Sequence, residues 1–262
     1  MRTTTISGTR EHERNGFTFT ELLVVVFVLV LLGTLTLLAV STKNTLAVQQ
    51  TECSRNLKES TTPVLLYAAD TGSLPPDPTS WMKTLSSYNP QAAQLLVCPS
   101  AATAPSGTGS TAGNADTMWR WSASGEVWLG SFALNGWLYT GSFAQGFPLN
   151  YFKTISSVQK PALTPVLADS IWVDLWPNST DLPARNLYSG GPLSLSGMPR
   201  CTISRHGGVD PASAPRSVPP ASPLPGAINI GMADGHVETV RLEKLWTYYW
   251  HRNWQPPPVR PP

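Results

Sequence analysis

Apolar residues are concentrated in one uninterrupted stretch near the start of the chain. Residues 22–40 (LLVVVFVLVLLGTLTLLAV) contain no charged residue and no proline, and residues 17–20 extend the stretch at its front. At about 1.5 Å per residue, an α-helix over residues 17–40 is long enough to cross the roughly 30 Å hydrocarbon layer of a membrane. The pattern therefore predicts one membrane-spanning helix.

Residues 41–70 continue with apolar positions at helical spacing. These positions recur at threes, fours and sevens: Leu46, Cys53, Leu57, Val64, Leu65 and Ala68. The spacing predicts that the first helix runs on to about Ser60, with Pro63 starting or kinking a further turn. The first half of this helix would lie in lipid, and the second half would pack on a globular domain.

The remaining residues, 71–262, contain short strand-like runs separated by turn formers, which predicts an antiparallel β-sheet head with long loops and an α+β fold overall. Asn135-Gly136 and Asp234-Gly235 each lie between apolar runs, a pattern typical of β-hairpins because a type I′ turn needs residues that tolerate positive φ. Residues 166–176 predict a further strand. Residues 210–226 hold six prolines and predict an extended, poorly ordered surface loop.

The number and distribution of charged residues argue against nucleic-acid binding and indicate how the chain is oriented in a membrane. Charged residues make up 13% of the 262 residues and the formal net charge is +2, whereas about 25% charged residues is typical of soluble domains. No block of Lys and Arg is present, so nucleic-acid binding is not expected. Arg2, Arg10 and Arg14 precede the apolar stretch, and such a basic segment is expected to stay in the cytoplasm while the rest of the chain crosses the membrane.

Glu21 is the one charged residue inside the predicted membrane segment, where an ionisable side chain is costly and is a candidate for a functional role. If the chain is cut after Gly16, the new α-amino group of Phe17 lies one helical turn away, on the same chain or on a neighbour. The alternative is that the Glu21 side chain simply reaches the lipid headgroups.

The run RNGFTFTELLVVVFVLVLLGTL resembles the cleavage and methylation signal of type IV prepilins and type II secretion pseudopilins. The resemblance implies that a prepilin peptidase cuts after Gly16, that Phe17 becomes the N-methylated first residue, and that Glu21 neutralises a neighbouring amine during filament assembly. It also implies a cytoplasmic leader (1–16), a transmembrane half-helix (17–40), a periplasmic half-helix (41–70) and a globular head (71–262). The partners would be other pilin or pseudopilin subunits and inner-membrane lipid, with the head periplasmic, or extracellular after assembly.

A second resemblance covers nearly the whole chain. The chain is similar to prepilin-like proteins whose C-terminal signature is His, nine residues, then Asp-Gly. The similar segments are CSRNLKESTTPVLLYAADTGSLPP, VCPS, SFALNGWL, VLADS, RHGG and INIGMADGHVETVRLEKLW. His206, Asp234 and Gly235 match these positions, but 27 residues separate His206 from Asp234. We interpret the excess, in residues 210–226, as an insertion in a loop between two strands. The resemblance does not imply that the head domain catalyses any particular reaction.

The three cysteines, Cys53, Cys98 and Cys201, follow the membrane segment, in a compartment where disulfides persist. Cys53 with Cys98 is the favoured pair, because Cys98 ends an apolar run that could lie along the helix carrying Cys53. Pairs that include Cys201 are alternatives, as are three buried thiols without any disulfide.

No catalytic or metal-binding motif emerges from the spacing of reactive residues. His206, Asp234, His236 and Asp169 could be imagined around a metal ion, but they lack the spacing of zinc fingers or zinc proteases. Asp234 is explained by its turn, and no nucleophile signature is present. The sequence therefore predicts neither an enzyme nor a bound metal or other cofactor.

Ten tryptophans are a high number for this length. Three of them recur at a spacing of four and predict a buried stripe on a short C-terminal helix: Trp246, Trp250 and Trp254. Trp119, Trp121 and Trp128 fall on predicted loops and could form an exposed platform. Two functions follow: a filament subunit, or alternatively a membrane-tethered recognition module whose tryptophan-rich head binds polysaccharide or secreted cargo.

Overall fold

The chain folds as an α+β protein, and its computed structural model describes residues 18–140 and 149–262, with side chains except those of residues 37–43. The predicted leader, Gly16 and Phe17 lie outside the described residues. The helices are α1 (Phe19–Thr71), α2 (Pro78–Tyr88) and α3 (Ala92–Leu95). The strands are β1 (Trp119–Ala123), β2 (Glu126–Gly130), β3 (Phe132–Asn135), β4 (Pro165–Asp169), β5 (Asp174–Leu175), β6 (Ala227–Met232) and β7 (Val237–Arg241). Short 3-10 helices include Pro99–Ala101, Gly136–Leu138 and Leu242–Thr247.

Two compact units divide the chain, Met1–Asn44 and Thr45–Pro262. The first contains the apolar start of α1, in which Phe19–Thr36 has no buried residue and is long and apolar enough to cross a membrane or to act as a signal sequence. Thr18 and Glu21 form a capping box at the start of α1. The Thr18 backbone N–H donates to Glu21 Oε2 (2.8 Å) and the Glu21 N–H donates to Thr18 Oγ1 (3.3 Å).

The second unit contains the rest of α1, whose buried face packs in the hydrophobic core. This face consists of Cys53, Leu57, Val64 and Ala68. Helix α1 continues without a break through Pro63 to Thr71, so it runs past Ser60, where the apolar spacing predicts an end, and stops next to residue 70, the bound that the resemblance implies. An interior proline costs a helix about 3 kcal/mol, and the burial of Val64 and Ala68 beyond it offsets that cost.

A five-stranded sheet with the order β5-β3-β4-β6-β7 forms the centre of the head, and β1 and β2 form a separate antiparallel pair. The predicted hairpin around Asp234-Gly235 is confirmed: β6 pairs antiparallel with β7, and Gly235 has φ +86°. The predicted antiparallel sheet is confirmed in part: β3, β4, β6 and β7 pair antiparallel, but β5 runs parallel to β3. Residues 166–176 contain most of β4 and all of β5, separated by a short connection, rather than one strand.

The prediction of a hairpin at Asn135-Gly136 is wrong, because the Asn135 side chain forms hydrogen bonds to distant segments of the chain. Its Oδ1 accepts from the Trp137 N–H, and its Nδ2 donates to the carbonyls of Pro165 and Trp250. The chain therefore enters the 3-10 helix Gly136–Leu138 after β3 instead of turning back.

The proline-rich segment 210–226 packs on the head, so its prediction as a poorly ordered loop is wrong. Ala214, Val218 and Leu224 are buried. The loop is closed at its base by two backbone hydrogen bonds of 2.9 Å between His206 and Ala227. Because the two ends of the loop pair with each other, residues added between them do not change the register in which β6 pairs with its neighbours.

The C-terminal tryptophans belong to the core, as predicted. Trp246, Trp250 and Trp254 are buried, and each indole N–H donates to a backbone carbonyl. The helix that starts this segment is the 3-10 helix Leu242–Thr247, so Trp250 and Trp254 lie beyond its end.

Candidate functional site

Four reactive side chains from separate segments meet in the interior of the head. Cys53 comes from α1, Cys98 precedes the 3-10 helix Pro99–Ala101, Asp169 ends β4, and His206 stands at the base of the proline-rich loop. All four are buried, and their sulfur, carboxylate and imidazole ligand atoms lie within 4.8 Å of one another. We call this group the Cys-Cys-Asp-His cluster.

Strand order and one glycine explain why these segments meet. Strand β4 lies between β3 and β6, and His206 bridges to Ala227 at the start of β6, which brings it close to Asp169. On β6, a Cβ at Gly231 would collide with Thr61 of α1. The missing side chain lets α1 lie directly on the sheet, which carries Cys53 into the cluster.

The imidazole Nε2 of His206 lies at the centre of the cluster. It is 3.2 Å from Cys53 Sγ, 3.4 Å from Cys98 Sγ and 3.2 Å from Asp169 Oδ2. Cys53 Sγ is also 3.8 Å from Asp169 Oδ1. One nitrogen atom is therefore in polar contact with three different groups.

Arg205 holds the cluster from its other side. Its side chain is fully buried, and NH1 forms an ion pair with Asp169 Oδ1 at 2.8 Å. The remaining guanidinium hydrogens go to the backbone carbonyls of Asn114, Ala115, Ser131 and Ser170. Asp169 Oδ2 accepts from the Asn229 N–H at 2.7 Å. Both oxygens of Asp169 are thus fixed in position.

The protonation of the cluster follows from these contacts. Burial opposes ionisation of Asp169, but Arg205 and His206 outweigh it and lower its pKa to about 2. Burial disfavours the His206 cation, yet Asp169 and Cys98 raise its pKa to about 9. Burial raises the pKa of Cys53, whereas hydrogen bonding from Cys53 and the charge of His206 lower the pKa of Cys98 in spite of its burial.

This arrangement has the groups needed to bind a metal ion or to form a disulfide. Thiolates, imidazole and carboxylate are all ligands of zinc. His206 Nε2 contacts both Cys98 and Asp169, so the carboxylate does not orient the ring through its second nitrogen as in a catalytic triad.

The signature residues do not form one site. His206 belongs to the cluster, but Asp234 and Gly235 form the turn after the opposite end of β6. There, the Asp234 carboxylate is 2.6 Å from His236 Nδ1, and both side chains are partly exposed. The four residues imagined around a metal ion from the sequence form two separate pairs: His206 with Asp169 in the cluster, and Asp234 with His236 at the turn.

The cysteines are arranged partly as the sequence predicts. Cys53 and Cys98 come close together, and all three cysteines are free thiols. Cys201 lies apart from the cluster, with its Sγ 3.4 Å from the Met198 carbonyl oxygen. The disulfide between Cys53 and Cys98 stays a prediction.

The predicted aromatic platform does not form as expected. Trp119 is fully buried, and its Nε1 donates to the Phe132 carbonyl at 3.0 Å. Trp121 and Trp128 face each other across β1 and β2 and are partly buried against the core. All three lie on strands rather than loops, and all ten tryptophans, which fall within the described residues, are at least partly buried.

A surface groove of about 720 Å³ opens between the segments Asn178–Asn186 and Gly190–Pro199. Its lining is made of small, polar and aliphatic residues, and no tryptophan of the described chain contributes to it. The groove therefore lacks the aromatic stacking surface that would favour a carbohydrate ligand.

Fold and site together define an α+β protein with one exposed apolar helix at its N-terminus and a buried Cys-Cys-Asp-His cluster in its head. Comparisons of the chain with protein-family models, with characterised proteins and with solved structures find no match.

Proposed function

We propose that the chain is a prepilin-like structural subunit, anchored in the inner membrane and assembled into a type IV pilus or a type II secretion pseudopilus. The observation that carries the proposal is the segment around the start of α1. Gly16, Phe17 and Glu21 have the spacing of a prepilin processing signal. Gly16 and Phe17 lie just before the apolar segment Phe19–Thr36, which contains Glu21 near its start and is exposed throughout.

The exposed segment supports assembly because none of its apolar side chains is buried within the described chain. Monomeric soluble proteins rarely expose an apolar patch of more than a few hundred Å². Lipid before assembly and neighbouring helices after assembly would both cover this surface. The subunit then needs no catalytic site.

Glu21 fits this proposal through its position in the capping box. Its carboxylate accepts from the Thr18 backbone and hydroxyl, at 2.8 and 2.7 Å, so the charge is stabilised at the helix N-terminus until another donor approaches. The amine of a processed Phe17 on a neighbouring subunit would be such a donor. The alternative function, a tethered recognition module, has less support because six of the ten tryptophans are buried.

Replacing Gly16 by alanine should block processing, because the peptidase acts at this residue under the proposal. Mass spectrometry of the N-terminus should find methylated Phe17 in the wild-type chain and the uncut leader in Gly16→Ala. Gly8→Ala, which changes a glycine elsewhere in the leader, should be processed normally. A wild-type chain that keeps the complete leader in its native cells would refute the proposal.

Replacing Glu21 by alanine should leave the chain in the membrane but remove it from sheared filaments or cross-linked oligomers. Thr18→Ala is the matched control, because it removes the hydroxyl of the capping box and keeps the carboxylate, so it should still assemble. A tethered recognition module should be indifferent to Glu21→Ala. Normal assembly of this variant would therefore favour the alternative function.

A further inference from the structure

The hydrogen bonds available in the Cys-Cys-Asp-His cluster do not account for its geometry. One imidazole nitrogen carries one hydrogen at most, yet His206 Nε2 lies within 3.4 Å of two sulfur atoms and one carboxylate oxygen. The Asp169 oxygens are already held by Arg205 and the Asn229 N–H. A group that attracts all four side chains at once explains this convergence better than a single proton.

The distances from His206 Nε2 to the other ligand atoms lie within a few tenths of an ångström of the edges of a metal tetrahedron. With zinc bonded to sulfur at about 2.3 Å and to nitrogen or oxygen at about 2.0–2.1 Å, tetrahedral edges are about 3.3–3.8 Å. In the cluster, Nε2 of His206 is 3.2 Å from Asp169 Oδ2 and 3.2–3.4 Å from the two sulfur atoms. Asp169 Oδ2 is the oxygen facing His206, whereas Oδ1, 3.8 Å from Cys53 Sγ, is the oxygen paired with Arg205.

The charges also balance around a divalent cation. Two thiolates, one carboxylate and one neutral imidazole around Zn²⁺ leave one negative charge, and the buried guanidinium of Arg205 beside Asp169 neutralises it. Arg205 and the Asn229 N–H then hold the ligating carboxylate in place, as outer hydrogen bonds commonly do at metal sites. Binding releases the thiol protons of Cys53 and Cys98 and any proton on His206 Nε2.

We propose that Cys53, Cys98, Asp169 and His206 bind one zinc ion, which fastens helix α1 to the central sheet and to the base of the proline-rich loop. Four protein ligands in a buried site leave no position for a substrate, which is the arrangement of structural zinc. The proposal is independent of filament assembly, since all four ligands lie in the unit Thr45–Pro262.

The test is metal analysis of the full-length chain, purified in detergent without chelators. Elemental mass spectrometry should find about one zinc per chain, and a mercurial thiol reagent should release it. Cys53→Ser and Cys98→Ser should each lose most of the zinc. Cys201→Ser is the matched control, because Cys201 is equally buried but lies outside the cluster, and it should keep the full amount.

Three results would overturn the proposal. One is a wild-type chain free of zinc even after refolding with zinc chloride. Another is an intact mass lower by two hydrogen atoms, with Cys53 and Cys98 joined in one peptide, which identifies a disulfide instead. The third is equal zinc content in Cys53→Ser, Cys98→Ser and Cys201→Ser. The wild-type measurements decide the matter even where a cysteine variant fails to fold.

Discussion

Replacing Arg205 by methionine should lower the unfolding free energy of the head by about 3–5 kcal/mol, the usual cost of removing one partner of a buried ion pair. The guanidinium and the Asp169 carboxylate are both fully buried. Methionine keeps much of the side-chain volume but leaves His206 as the remaining cation beside the carboxylate. It also removes one donor from each of four backbone carbonyls, of which that of Ser131 still accepts from the Ser170 N–H.

Denaturant titration of the full chain in detergent, followed by tryptophan fluorescence, would measure this loss. All ten tryptophans lie between residues 81 and 254, so the signal reports on the head and not on the apolar helix. The matched control is Lys83→Met, which breaks a solvent-exposed ion pair of 3.0 Å with Glu126 and should cost about 1 kcal/mol or less. A loss of unfolding free energy as small as this for Arg205→Met would contradict the expectation that the buried ion pair stabilises the head.

In the chain freed of metal, adding Asp169→Asn to Arg205→Met should recover part of the lost stability, because the second substitution removes a buried charge that has lost its arginine partner. The same titration applies, after dialysis against a chelator. A double variant less stable than Arg205→Met would mean that the Asp169 charge still stabilises the head through His206.

Elements specified by local sequence were predictable, and elements specified by distant contacts were not. The hairpin of β6 and β7 follows from apolar runs on both sides of Asp234-Gly235, where the glycine takes positive φ. Asn135-Gly136 carries the same local pattern, but the Asn135 side chain bonds to Pro165 and Trp250, far away in sequence. Local propensity could not reveal that competition.

The Cys-Cys-Asp-His cluster was hidden for the same reason. Cys53 and His206 are 153 residues apart, so no spacing rule for metal ligands applies to them. The sequence held one weak indication of the cluster. Asp169 ends the apolar run of β4, and a carboxylate in such a buried position needs a charged or hydrogen-bonding partner. The partner, Arg205, stands beside His206 in sequence, but only the folded sheet shows that the two segments meet.

A pH-dependent loss of stability should arise from His251, which is buried between two tryptophans. Its ring centroid is 5.2 Å from that of Trp137 and 5.1 Å from that of Trp254, and its Nδ1 has no hydrogen-bond partner among residues 18–140 and 149–262. Burial lowers the pKa of His251 from 6.5 to about 4. The unfolded chain therefore takes up a proton at a higher pH than the folded chain does.

The stability from neutral His251 is fully present above pH 6.5 and is lost as the pH falls towards 4. The loss should reach about 1–2 kcal/mol at about pH 4.5, since residual solvent contact screens part of the cost of the buried charge. Denaturant titrations at about pH 7 and 4.5 measure how much unfolding free energy each chain loses on acidification. The loss should be about 1–2 kcal/mol smaller in His251→Phe than in the wild-type chain.

Both chains share every other titrating group, including the Cys-Cys-Asp-His cluster, so the difference between their acid dependences isolates His251. His236→Gln, at a partly exposed histidine, should behave as the wild type does. The same acid dependence in His251→Phe as in the wild type would place the responsible group elsewhere in the head.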